Sequence, residues 1–184
     1  WKEFANALEQ YQYRLKCLPG YSDTKFRLWD MELPDTVIEL LSKSLESTHV
    51  TNFILGNNSL GQSGIGFAFK YLKSNCILKV FSLYDNPIEC MKDIKQLCQI
   101  VEEHPSIEEL YLDGCRGEGV NGYEMLQMIM SAGKNKLNGL DLSDNNISTG
   151  GDTFISDFLA SNPMLETLFL DGNQLDDNDA RAIA

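Results

Sequence analysis

The sequence predicts an α/β fold in which short parallel strands alternate with helices along one stacked array. Three observations predict it: an eleven-residue pattern that returns five times, a near-constant interval between its copies, and an amphipathic segment inside each interval. The copies begin at Val50, Leu78, Ile107, Leu137 and Leu165 and read VTNFILGNNSL, LKVFSLYDNPI, IEELYLDGCRG, LNGLDLSDNNI and LETLFLDGNQL. Apolar residues hold the first, fourth, sixth and eleventh positions and Asn or Cys the ninth, with Gly117 the one departure. A degenerate copy starts at Asp23 and runs through Phe26, Leu28, Met31 and Leu33. From starts at 23, 50, 78, 107, 137 and 165 the intervals are 27, 28, 29, 30 and 28 residues.

Each element follows from local chemistry. The first 18 residues place Phe4, Leu8, Leu15 and Leu18 near one helical face. Within a copy, alternate residues of a strand point to opposite faces, so Leu140 and Leu142 face a core while Asp141 faces out. The chain then bends, and Asn58, Asn86, Asn145 and Asn173 stand where a side-chain amide can satisfy the bent backbone; Cys115 takes that place once. Helices are expected over Pro34–Ser47, with Val37, Leu40, Leu41 and Leu45 inward, and near Gly64–Lys73, Met91–Glu103, Tyr123–Ala132 and Asp152–Ala160. Stop signals follow them, among them His104-Pro105 and Asn162-Pro163.

The repeated L-x-x-L-x-L-x-x-N-x-L pattern resembles the leucine-rich repeat family, nearest its ribonuclease-inhibitor-like class of long repeats. The resemblance implies one solenoid domain over residues 1–184, a horseshoe or arc of about six repeats, with a parallel sheet on the concave side and helices on the convex side. A helix starting at Asp177 ends after barely two turns with no polar capping repeat, so a longer array is expected.

Composition narrows the function. Fifteen Lys and Arg against 27 Asp and Glu give a charge of −12, which argues against nucleic acid and favours a basic protein partner. Five cysteines, an odd number without a CxxC pair, signal neither a disulfide framework nor zinc and are expected to be reduced, mostly buried residues of an intracellular, cytoplasmic protein. With Trp1 in place of an initiating Met, a lost targeting segment leaves an organelle open. No apolar run is long enough to cross a membrane, and sequons at Asn57 and Asn146 matter only for a secreted chain.

The outward positions of the strands form the expected recognition surface. They combine Trp29, Tyr84, Tyr111 and Phe169 with Asp85, Glu109, Asp113, Asp141, Asp144 and Asp171, aromatic anchors among carboxylates that select Lys or Arg. Lys25, Arg27, Asp30, Asn52, Ile54, Gly56, Val80, Ser82 and Ser143 share that side. Aspartates at the turns have a second reading, as local partners for backbone N–H groups. His49 and His104 fall at helix ends away from any triad partner. The clusters Asp144-Asn145-Asn146 and Asp176–Asp179 lack the calcium-loop pattern, and Gly61, Gly64 and Gly66 lack the Lys-Ser/Thr of a phosphate loop. No catalytic residue, cofactor or metal is therefore expected. The expected function is a non-catalytic protein–protein interaction module, a scaffold or assembly subunit of a larger complex. Two alternatives stand beside it: a regulator of another enzyme, as in the Ran GTPase-activating proteins that share the long repeat, and the ligand-sensing part of a signalling receptor.

Overall fold

The computed structural model describes residues 1–6, 24–45 and 50–183. Eight strands are present among them: β1 (Thr24–Arg27), β2 (Val50–Ile54), β3 (Val80–Ser82), β4 (Ile88–Cys90), β5 (Glu109–Tyr111), β6 (Arg116–Gly119), β7 (Gly139–Asp141) and β8 (Thr167–Phe169). Helices α1 (Asp35–Leu45), α2 (Gln62–Ser74), α3 (Met91–Glu103), α4 (Gly122–Ala132), α5 (Phe154–Ser161) and α6 (Asp177–Ile183) follow β1, β2, β4, β6, β7 and β8. Residues 2–6 are helical; Leu8, Leu15, Leu18 and His49 lie outside the described residues.

Strands β1, β2, β3, β5, β7 and β8 lie side by side in that order, every adjacent pair parallel. Parallel neighbours need a crossover, and a helix supplies it each time. The next-to-last residue of each strand points into the core, so Phe26, Phe53, Phe81, Leu110, Leu140 and Leu168 share one row. The first five of these are buried. Phe26 and Phe81 stack on Phe53 at 5.7 and 6.2 Å between ring centres, and Tyr71 from α2 meets Phe53 at 4.4 Å. The helices close this core on one side of the sheet: Ile38, Leu41, Leu72, Ile94, Leu97, Leu126 and Ile155 are all within it. In α1 the inward residues are Val37, Ile38, Leu41 and Leu45, with Ile38 taking the place expected of Leu40, which is half-buried.

The asparagines act as the sequence implies. Asn86, fully buried, donates from Nδ2 to the Leu55, Leu83 and Tyr84 carbonyls at 2.6, 3.0 and 3.1 Å. Its Oδ1 accepts from the Asn58 and Leu60 N–H groups, both at 3.1 Å. Asn58 and Asn173 repeat the arrangement, and the Cys115 Sγ reaches the Leu83 carbonyl at 3.1 Å. One feature escaped the pattern: β4 and β6 form a separate two-stranded parallel sheet. Gly117 permits it, since a side chain there would meet the Ile88 carbonyl at 2.6 Å. In the following copy the buried Asn145 Oδ1 has no partner, where Asn86 and Asn173 each accept two N–H groups.

Candidate partner-binding face

The sheet's other side is open, and its residues form ordered rows. One row runs Arg27, Ile54, Ser82, Tyr111, Asp141, Phe169. The ladder keeps its register past the strand ends, through Asp30 N–H to Gly56 O, Asn57 to Tyr84, Asp85 to Asp113, Gly114 to Ser143 and Asp144 to Asp171. A second row is therefore Trp29, Gly56, Tyr84, Asp113, Ser143, Asp171. The aromatics and carboxylates expected at the surface thus adjoin one another across neighbouring strands. Trp29 and Phe169 are 48% and 43% exposed, while Tyr84, Glu109, Tyr111, Asp113 and Asp141 are half-buried and Asp85, Asp144 and Asp171 exposed.

Some residues of this side are not at the surface. Gly56, Val80, Ser82 and Ser143 are buried, although all four were expected outward. Their side chains are too short to rise above their neighbours: the Tyr84 ring fills the space a side chain at Gly56 would need, and Ser82 lies in register between Ile54 and Tyr111. Tyr84 is thereby seated on bare backbone, which fixes an aromatic plane on the open face.

The carboxylates divide into two kinds. Asp30, Asn57, Asp85, Gly114, Asp144 and Gly172 occupy equivalent turn positions, and all six have positive φ, from 47° to 65°. Only Gly, Asn and Asp adopt that conformation readily, so the backbone itself accounts for these aspartates. Their side chains lean along the row: Asn57 donates to Asp30, and the Asp85 and Asp144 carboxylates cover Gly114 and Gly172. Asp113, Asp141 and Asp171 have no such backbone reason. Asp141 accepts the Ser143 N–H at 2.9 Å. Partial burial, with the charges of Asp141, Asp85 and Asp144 around it, raises the Asp113 carboxyl from 3.8 to about 6. Burial and the 2.7 Å bond it donates to Glu109 Oε2 push the Tyr111 hydroxyl up to about 12. Tyr84 is raised as well, first by burial and then by Asp30, Asp113 and Asp85.

The opposite end of the same face carries cations. Lys25 and Arg27 on β1 are exposed, and Lys79, just before β3, pairs with Glu108 at 3.0 Å. Together with Asn52, Ile54 and Glu109 they border a hollow of about 570 Å³. Lys79 was missing from the expected surface because it precedes the strand rather than standing in it.

The remaining polar clusters are satisfied internally. His104, buried at the end of α3, donates from Nε2 to the Asn75 carbonyl at 2.9 Å and accepts the Ile107 N–H on Nδ1 at 3.0 Å. Burial lowers its pKa, so the ring is neutral. Asp176 caps α6 through the N–H groups of Asn178 and Asp179, at 2.7 and 3.1 Å. Buried Asp179 takes the Gly151 N–H at 2.7 Å and the Thr149 hydroxyl. Gly61 and Gly64 admit Asp35, whose Oδ1 accepts the Gly61 N–H at 3.1 Å as α2 begins. Among the described residues, no three His, Cys, Asp or Glu side chains lie together in a way that could hold a metal ion, and no helix is long and apolar enough to cross a membrane. Of the cysteines among the described residues, Cys98 and Cys115 are buried, Cys90 is half-buried and Cys76 exposed; Cys17 lies outside the described residues. Compared with known proteins, the chain matches no family model and no curated protein.

Proposed function

We propose that the chain is a leucine-rich-repeat-type solenoid whose open sheet face binds another protein without catalysis, as a scaffold or assembly subunit. The observation that carries this reading is the aromatic and acidic surface formed by Tyr84, Tyr111, Asp113, Asp141 and Phe169 on adjacent parallel strands. Its supports are physical. Half-buried aromatics on a rigid sheet offer large contact area at low entropic cost. Asp113, Asp141 and Asp171 are not required by a positive φ, although Asp141 accepts the Ser143 N–H, and the described residues pair none of them with Lys or Arg. The spacing of the six strands and the repeated asparagine turn support the solenoid reading.

The test is site-specific photo-crosslinking in an extract of the source cells. A photoreactive phenylalanine at Tyr111 or Phe169 should give a defined adduct with one protein, and the same group at exposed Lys95 on α3 should not. Adducts from Lys95 alone would move the interaction to the helices and end this reading.

A further inference from the structure

The open face is electrically divided, and the division specifies what lies on it. Its β1 end carries Lys25 and Arg27, neither paired with a carboxylate among the described residues, with Asp30 at the turn beyond them, and its β5–β8 end carries Asp113, Asp141 and Asp171. Between them, Asn52, Ile54 and the buried Gly56, Val80 and Ser82 make an uncharged floor, bounded on the acidic side by Tyr84 and Tyr111. In the row from Arg27 through Ile54, Ser82 and Tyr111 to Asp141 the charge changes sign across the strands.

Resting on the function proposed above, we infer that the face takes a bipolar polypeptide segment laid across the strands, its acidic end on Lys25 and Arg27 and its Lys or Arg side chains over Asp113, Asp141 and Asp171. Charge complementarity commits to this occupant. A uniformly basic ligand meets Lys25 and Arg27 at one end, and a uniformly acidic one meets the aspartates at the other. The dimensions agree. Neighbouring strands lie about 4.8 Å apart, so six strands span roughly 24 Å, the length of about seven extended residues. The carboxylates come from successive repeats in two rows, Asp141 in one and Asp113 and Asp171 in the other with Ser143 between them, suited to several separate side-chain cations. The aromatic planes of Tyr84 and Tyr111 beside them add attraction for a cation held over a ring. The hollow is lined by Lys25 and Arg27 on one side and by Glu108, paired with Lys79, and Glu109 on the other, so a carboxylate of an Asp or Glu side chain or of a chain terminus is received on its Lys25 and Arg27 side.

The experiment uses fluorescein-labelled peptides of about ten residues. One has glutamates at one end, Ala, Tyr and Ser in the middle and lysines at the other end; a second has the same composition with the charges interleaved; a third is all-lysine with the same centre. Fluorescence anisotropy at roughly 50 and 300 mM salt follows binding to the wild type, to Asp113→Asn/Asp141→Asn and to Lys25→Gln/Arg27→Gln. Asn at 141 keeps an acceptor for the Ser143 N–H, and Lys25 and Arg27 are exposed, so the fold should be retained, with circular dichroism as the check. The segregated peptide should bind the wild type most tightly, and either double variant should weaken it by about three- to tenfold at low salt. The all-lysine peptide should lose affinity only with the aspartate variant and gain with Lys25→Gln/Arg27→Gln. Equal binding of segregated and interleaved peptides, indifference of the segregated peptide to Lys25→Gln/Arg27→Gln, or no saturable binding of it would each overturn the bipolar assignment. Such a failure leaves the Tyr111 and Phe169 crosslinks intact if only the charge pattern is wrong, whereas loss of those crosslinks removes the binding face itself.

Discussion

Strands β1 to β3 and strands β5 to β8 continue one sheet, yet they fill its two faces with different chemistry. Toward the helices, the first group stacks Phe26, Phe53 and Phe81, and the second sets Leu110, Leu140 and Leu168 in the same row. In the row of the open face that runs through the strands, the first group presents Arg27, Ile54 and Ser82, and the second presents Tyr111, Asp141 and Phe169. From β2 to β8 the backbone register is unbroken, with one shift at Thr24–Lys25 in β1. The inner row must be filled with apolar volume and accepts rings or leucines equally, whereas the outer rows are free of that constraint. Differences in the outer rows therefore carry information about partners that differences in the inner row do not.

Substitutions in the inner row should have the largest effects and should be alike in both groups. Leu140→Asp places a carboxylate in a fully buried site without a partner, costs several kcal/mol and should abolish cooperative unfolding. Phe53→Ala should cost about 3–5 kcal/mol and Leu110→Ala about 2–5, both read from urea denaturation. A Phe53→Ala variant that melts like the wild type would sink the assignment of the phenylalanine stack to the core.

The turns come next. Asn86→Ala removes five hydrogen bonds at a fully buried site and should cost about 2–3 kcal/mol. Asn173→Ala, half-buried, should cost about half as much, since water can replace part of what is lost. Gly114→Ala must hold φ near 63° and displace the Asp85 carboxylate, for roughly 1–3 kcal/mol. Pairing Gly114→Ala with Asp85→Gly should recover the part due to overlap and leave the part due to backbone strain.

How much of this was legible beforehand follows the same division. The inner row and the asparagine turns were readable because burial and backbone satisfaction act on every copy alike, so the pattern repeats. The β4–β6 pair was not, although Gly117 marked the place, because a departure from a pattern does not say which backbone will approach the gap. On the open face, alternation placed Tyr84, Tyr111, Asp141 and Phe169 correctly on one side but could not foresee that Gly56, Val80 and Ser82 would be buried there. Depth depends on the heights of neighbours on the adjacent strand, about 28 residues away in sequence. The same limit hid the reason for Asp85 and Asp144, which is a positive φ visible only in three dimensions.

The smallest effect is also the most specific to the acidic end of the face. Asp113 has its carboxyl raised from 3.8 to about 6, so in the folded chain it holds a proton that the unfolded chain has already released. Its contribution to stability is present in full below pH 3.8 and is lost as the pH rises through 6. Asp113→Asn removes that loss. The variant should match the wild type near pH 4 and exceed it above pH 6 by about 1 kcal/mol, after allowance for partial exposure, or a few degrees in Tm. His104, lowered by burial, works in the other direction, stabilising above pH 6.5 and losing that contribution as the pH falls, but it does so equally in both proteins and cancels in their difference. Melting curves at intervals from pH 4 to pH 8 would therefore isolate Asp113. A difference that opens between pH 4 and 6 ties the carboxylate first to its partial burial and then to repulsion from Asp141, Asp85 and Asp144, the part that a cationic partner would relieve. A difference that stays flat with pH would mean that neither burial nor these neighbouring charges raise the Asp113 carboxyl, and the contrast between the two ends of the face would be one of shape alone.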